Sequence, residues 1–357
     1  MCGIVGMFVG CTALSYCPKQ LVMGLGPADS GPVGEARPDE AAEADETGQE
    51  PAYRSPFGSW YERAGVRQAP RRRLENDEQG RHYFSPDLVP IARHPLVKNL
   101  PAGRFEEVLV QHLYRYLDFT ARLEYVVVNR TVLGIAQGSI GVQLPEEMRF
   151  DAYKIYCDEA YHTLFSVDLS RQVQQRTGIA PRLPAEPYFL LRLREILEEL
   201  PSEHRALAEM LFVIVSETLI SATLAEVPER PDVVAAVRGT IRDHALDEGR
   251  HHAYFAVFLR YLWGQLSPAE RRWSARLIPQ LIEAFLRPDL PAVRQELAGY
   301  GLTADDAERV LAETYTPEAV RSHLAATSRQ TVRYFEALQA FDDPEAAEKI
   351  QRLGTLV

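Results

Sequence analysis

Between Leu211 and Ala225 the chain reads LFVIVSETLISATLA, apolar throughout except for hydroxyls and one carboxylate, Glu217. A helix apolar on every side is either a membrane span or the central rod of a packed bundle. This run falls short of the about 18 uncharged apolar residues a span requires, and no other segment suggests one. The reading is a buried helix, with Glu217 inside the protein. An unpaired carboxylate there costs roughly several kcal/mol unless it shifts its pKa or finds a partner. LEYVVVNRTVLG shows the same anomaly, with Glu124 leading into an apolar run. Two buried carboxylates on two core helices demand an explanation.

The segments around them are helical. After Pro101, apolar residues recur at helical spacing in long windows cut by Pro or Gly, and strand signals are almost absent. The pattern predicts helices over 104–139, 146–178, 202–227 and 231–266, with a short one after Pro187 and others over 268–286, 303–314 and 317–341. Ser202, after Pro201, is the expected N-cap of the third long helix. Four helices of roughly 25–35 residues in succession predict an all-α fold built on a four-helix bundle with accessory helices. Ahead of the bundle, 101–350, lie an irregular arm over 51–100, expected to wrap it, and an acidic low-complexity stretch over 1–50, expected to be disordered. The run Arg71–Arg73 in the arm reads as a solvated or acid-paired surface.

Composition narrows the function. A net charge of −11 argues against nucleic acid or an anionic lipid surface as the main partner. Four cysteines in 357 residues make no disulfide framework, so a reducing cytoplasm is the simplest setting. The opening MCGIVG resembles class II glutamine amidotransferases, with Cys2 as nucleophile, but the run of strands that domain needs does not follow. No basic residue precedes this apolar stretch, so it is not expected to act as a secretory signal.

The remaining long helices explain the buried carboxylates. One carries DEAYH, with Glu159 and His162 three apart; another carries HALDEGRHH, with Glu248 and His251 three apart. Three residues turn a helix by about 300°, so each pair shares a face. His244, four before Glu248, falls on the same stripe. With 33 Glu and 9 His, a random chain of this composition gives roughly 0.8 Glu-x-x-His pairs, so the pairs alone are weak signals. The order carries the argument: Glu124, then Glu159/His162, then Glu217, then Glu248/His251. A carboxylate helix alternates twice with a Glu-x-x-His helix, the arrangement of di-iron and di-manganese carboxylate bundles. Two divalent ions would offset four buried negative charges. Asp158, Asp243 and Asp247 flank these residues, and one or more could orient an imidazole. Cys157 and His252 are expected off the ligand face; His82, His94, His112, His204 and His323 are read as structural. Val128, Val213, Ser221 and Phe255 are candidate pocket residues.

At these residues the chain resembles the arylamine N-oxygenases, ferritin-like di-iron enzymes with one histidine ligand more than most of their kind. The SWYERAGVR stretch from Ser59 is also similar to that family's arm. The resemblance implies seven iron ligands, Glu124, Glu159, His162, Glu217, His244, Glu248 and His251, holding two iron ions per chain, with O2 as co-substrate. It implies oxidation of an aryl amine to an aryl nitro group through hydroxylamine and nitroso stages, in antibiotic biosynthesis of the chloramphenicol type. An external electron donor is expected, because no flavin, iron–sulfur or nicotinamide motif is present, and so is a homodimer. The alternatives are a di-iron hydroxylase or desaturase acting on carbon, whose ligand set usually lacks the third histidine, and a non-catalytic ferritin-like metal-binding protein. A radical subunit would need a tyrosine beside the metal, for which Tyr125 and Tyr161 are near in sequence.

Overall fold

The computed structural model describes residues 53–75 and 80–354, without the side chains of 221–223. The amidotransferase-like opening and the whole acidic stretch over 1–50 lie outside the described residues. Ser55–Val357 form one compact unit. It is all-α and ferritin-like; the described residues contain no strand, only an isolated parallel bridge between His82 and Val233.

Four rods build the bundle. The first is α1 (Ala102–Arg122), a π-helical segment (Leu123–Val128) and α2 (Asn129–Gln137). The second is α3 (Glu146–Thr177), and after the shorter α4 (Tyr188–Glu199) come α5 (Ser202–Leu224) and α6 (Ala235–Gln265). Local chemistry sets their ends. Gly138 and Gly178 take the left-handed conformation, φ 68° and 71°, that stops α2 and α3. Glu146 and Glu147 occupy the first turn of α3, where negative charge meets the positive end of the helix dipole.

Three boundaries differ from expectation. Pro201 occupies the cap position of α5, and Ser202 is its first helical residue, its hydroxyl on Glu203. α6 starts at Ala235 because the preceding backbone is extended to meet the arm: Asp232 C=O accepts from His82 N–H at 2.8 Å and Val234 N–H donates to His82 C=O at 2.9 Å. The last long helix stops at Glu336. Beyond α6 lie α7 (Pro268–Leu286), α8 (Leu290–Gly299), α9 (Ala304–Thr314), α10 (Pro317–Glu336) and α11 (Pro344–Arg352); the sequence reading missed α8 and α11.

α5 is the buried rod the sequence demands. Every residue from Leu211 to Ile220 is buried, including Ser216, Glu217 and Thr218. Ser216 and Thr218 hydroxyls donate to carbonyls of their own helix. No helix among the described residues is long and apolar enough to cross a membrane.

The arm crosses α3 and α6. Phe57, Trp60 and Ala64 are buried in it. Arg71 makes a two-pronged pair with Asp168 of α3, and Arg72 with Asp243 of α6, all four contacts at 2.7–2.8 Å. Two members of the basic run are thus acid-paired. Leu74 N–H donates to Gln172, and Arg176 donates to the Leu74 and Glu75 carbonyls.

Candidate metal centre

The bundle interior brings together all seven residues singled out in the sequence. Glu124 projects from the π segment, Glu159 and His162 from α3, Glu217 from α5, and His244, Glu248 and His251 from α6. Each is at most 2% exposed, so water cannot solvate their charges. The π segment places Glu124: one extra residue per turn rotates the rod locally, a distortion that clusters at functional sites.

The donor atoms face one another. Glu124, Glu159, His162 and His244 offer four ligand atoms within 4.8 Å of one another, and so do Glu159, His162, Glu248 and His251. The groups share Glu159 and His162, which describes two adjacent cation positions. His244 Nε2 is 3.2 Å from Glu124 Oε1 and 3.1 Å from Glu248 Oε1. His162 turns its Nδ1 to Glu159 at 3.1 Å, and His251 turns its Nδ1 to Glu159 at 3.0 Å and Glu248 at 3.2 Å. Glu217 stands at the edge, its Oε2 3.9 Å from His251 Nδ1 and outside both groups.

These residues fit metal ions. Glu124, Glu159, Glu217 and Glu248 each keep one buried oxygen with no hydrogen bond, although buried oxygens are normally paired. Two lie close to imidazole nitrogens but out of hydrogen-bond alignment. Charge points the same way. Burial pushes the Glu124 carboxyl up to about 7 despite His244. Burial, with the Glu248 and Glu159 charges, holds Glu217 well above the carboxylate range. Burial opposes protonation of His162 and His251, yet the surrounding carboxylates raise both well above the usual imidazole value. The cluster therefore collects protons, and a dication bound there would release them and offset the ionised carboxylates in their place.

The other ring nitrogens are held from outside. His162 Nε2 is 3.0 Å from Asp247, and His251 Nε2 is 3.3 Å from Asp158. The aspartate before each glutamate thus serves the imidazole of the opposite helix. Of the three flanking aspartates, Asp243 alone turns away, to Arg72. Thr163, which the sequence reading missed, donates to Glu124 Oε2 at 3.2 Å.

A family model for p-aminobenzoate N-oxygenase AurF matches residues 53–339. The chain belongs to that family. It is also 25% identical, over 221 residues, to a 4-aminobenzoate N-oxygenase of Streptomyces thioluteus; the match covers 60% of this chain and 65% of that protein. In this family member the six other histidines have partners of their own: His82 with Glu106, His94 at the start of a helical turn, His112 with Arg115, His204 stacked on Trp273, His252 on the Tyr334 hydroxyl and His323 with Thr327; His112 also lines a cavity beside the site. Cys157 is exposed, off the ligand face as expected. Tyr125 is exposed and Tyr161 donates to the Ala69 carbonyl, so neither hydroxyl faces the centre.

A cavity of about 240 Å3 lies beside the site, lined by Tyr116, Phe119, Thr120, Phe189 and Phe285 among others. Thr120 is one turn before Glu124. The Tyr116 hydroxyl is buried with no hydrogen bond. Burial and the nearby Glu124 and Glu248 charges both raise its pKa. Val128, Val213 and Phe255, the sequence candidates for a pocket, are fully buried core and do not line this cavity; the Ser221 side chain lies outside the described residues. The sequence offered no periodic signal for this cavity, because α1, α4 and α7 build it jointly.

Proposed function

We propose that the chain is an O2-dependent non-haem di-iron oxygenase that converts an aryl amine to an aryl nitro compound through hydroxylamine and nitroso stages. One observation carries the reading: two four-ligand groups of buried carboxylates and imidazoles that share Glu159 and His162, in a member of the p-aminobenzoate N-oxygenase family. Glu124, Glu159, His162, Glu217, His244, Glu248 and His251 would hold two irons, which when bound supply electrons and activate O2. His244 in the first group supports attack on nitrogen over the carbon hydroxylase alternative, whose ligand set usually lacks it.

The protein's own residues bind and orient the substrate. A dry cavity of about 150 Å3 holds benzene, so about 240 Å3 admits one substituted ring. Phe119, Phe189 and Phe285 offer it edge and face contacts, while Arg115, Asp118, Arg287 and Asp289 in the same lining offer charged ones. The Tyr116 hydroxyl remains available to donate a hydrogen bond to the reacting nitrogen or its oxygens. The overall change removes six electrons from nitrogen, and an external donor must re-reduce the centre. A cytoplasmic setting, which keeps iron ferrous, and a chloramphenicol-type antibiotic pathway are the context we propose.

We also propose a homodimer. α3 presents Phe150, Tyr153, Cys157, Ala160, Leu164 and Val167 outward, at alternating steps of three and four residues. Leu164 is 61% exposed. That spacing is the seam by which two helices interlock.

The test is anaerobic loading with two ferrous equivalents, then O2 and 4-aminobenzoate, with mass spectrometry of the product. A nitro or hydroxylamine product is expected. An unchanged amine with a fully loaded protein would overturn N-oxygenation of this substrate.

A further inference from the structure

We infer that the arm segment 57–65 is a clamp that positions the two imidazoles His251 and His162, so that arm docking and metal occupancy strengthen each other. The inference rests on the metal-centre reading above, but concerns residues outside the ligand set. The Trp60 indole N–H donates to both oxygens of Asp158, at 3.0 and 2.8 Å. Asp158 in turn faces His251 Nε2. Five residues further on, the Gly65 backbone N–H donates to both oxygens of Asp247, at 3.1 Å each. Asp247 faces His162 Nε2 and also meets Arg250. Phe57 completes the contact, its ring stacked on His251 with centroids 6.0 Å apart.

Two relays thus run inward from one short stretch of arm, one ending on α6 and the other on α3. Each begins at an arm N–H, passes through a buried aspartate and reaches the outer nitrogen of an imidazole whose inner nitrogen faces the carboxylates. The turn between the donors is tailored to this job. Ala64 is extended and fully buried between two single helical turns. A Cβ on Gly65 would collide with Asp247 Oδ2, so no other residue brings its N–H this close. Without the arm Asp158 loses both Trp60 hydrogen bonds and Asp247 both Gly65 hydrogen bonds, and the two carboxylates become freer to turn. The imidazoles they hold then lose fixed orientation. Partners behind a metal ligand typically contribute about 10–100-fold in metal affinity. Coupling of this kind is reciprocal: whatever factor the arm adds to metal affinity, metal adds to arm docking.

The experiment uses the full chain with cobalt(II) as probe. Metal is titrated into wild type, Trp60→Phe, Gly65→Ala and the control Val66→Ala, followed by visible absorption and by melting with and without metal. Hydrogen exchange over 57–68 is measured in wild type, metal-free and loaded. Wild type and Val66→Ala should bind two cobalt ions. Trp60→Phe, acting through His251, and Gly65→Ala, acting through His162, which belongs to both groups, should each weaken cobalt binding about 10–100-fold and alter the absorption bands, and exchange over 57–68 should slow on loading. A purely structural role would lower the melting temperatures of metal-free and loaded forms equally and leave the bands unchanged. Wild-type affinity in both variants, or exchange indifferent to metal, overturns the clamp. If either variant fails to fold, the wild-type exchange result decides. A wild type that binds no cobalt would instead overturn the metal-centre reading.

Discussion

Replacing Glu124 by Gln should make the metal-free protein more stable and the loaded protein less so. The carboxyl, 4.5 in an ordinary setting, is pushed up to about 7, chiefly by burial, with His244 pulling the other way and Glu159 adding to the rise. Each tenfold change in proton affinity is about 1.4 kcal/mol, so at pH 8 this carboxyl opposes folding by on the order of 3 kcal/mol. Gln keeps the shape of the protonated acid and an oxygen for the Thr163 hydroxyl. For a unit of about 300 residues, with unfolding entropy near 2.1 cal/mol/K per residue, metal-free E124Q should melt up to about 5 °C higher at pH 8. The sign follows from the raised value. The penalty is full above about 7, fades as the folded-state carboxyl protonates, and is gone below 4.5. The two melting curves should therefore converge near pH 4. Metal reverses the order: at a hundred times Kd it adds about 2.7 kcal/mol to wild type, and less to a variant that has lost a charged ligand. Calorimetry at pH 5 and pH 8, with chelator or manganese(II), reads all four states. If metal-free E124Q melts below wild type at pH 8, or if manganese raises both equally, Glu124 is a structural carboxylate and the charge argument fails.

Three further outcomes are expected. Tyr116→Phe removes a buried hydroxyl that has no hydrogen bond, so stability should change by less than about 1 kcal/mol while kcat/KM for an aryl amine falls about tenfold; unchanged kinetics would remove the hydroxyl from the pocket's chemistry. Leu164→Glu should convert dimer to monomer in sedimentation velocity without altering metal content, whereas a wild type that is already monomeric refutes the seam. Asp343, which caps α11 through the Ala346 N–H and pairs with Arg276, is held down to about 2 by that pairing. Its contribution should be full above pH 4 and be lost as pH falls through about 2, so Asp343→Ala should lower the melting temperature at pH 7 and by a smaller margin at pH 2.

What the sequence revealed of this protein is what a single helix decides. Glu159 and His162 share a face because of their spacing, as do His244, Glu248 and His251, and no other rod is needed to establish that. Pro145, Gly178 and Pro268 punctuate the rods through their own backbone preferences, so those ends fall where expected. The start of α6 does not, because His82, some 150 residues earlier, holds Asp232 and Val234 in extended form. The π segment is equally illegible. Nothing in LEYVVV prefers an extra residue per turn; the demand arises from where Glu124 must reach.

The partners of the imidazoles stand between these extremes. Both helices that carry a Glu-x-x-His pair show the same five-residue pattern, Asp-Glu-x-x-His, at Asp158–His162 and Asp247–His251. The repeated aspartate was a visible sign of a shared role, but its target was not. The aspartate lies four residues before its own histidine, about 40° away on the same face, so spacing alone left its target open; in the packed bundle Asp158 meets His251 and Asp247 meets His162, each reaching across to the other helix. Two such motifs on adjacent helices therefore lock each other: α3 orients an imidazole of α6 while α6 orients an imidazole of α3. Neither helix can rotate or slide without misaligning the other's imidazole. The arm then fastens both aspartates from one side. The centre's geometry is thus a property of the packed set of elements, and a substitution at Trp60, which touches no ligand carboxylate, should be felt at the metals before it is felt in the fold.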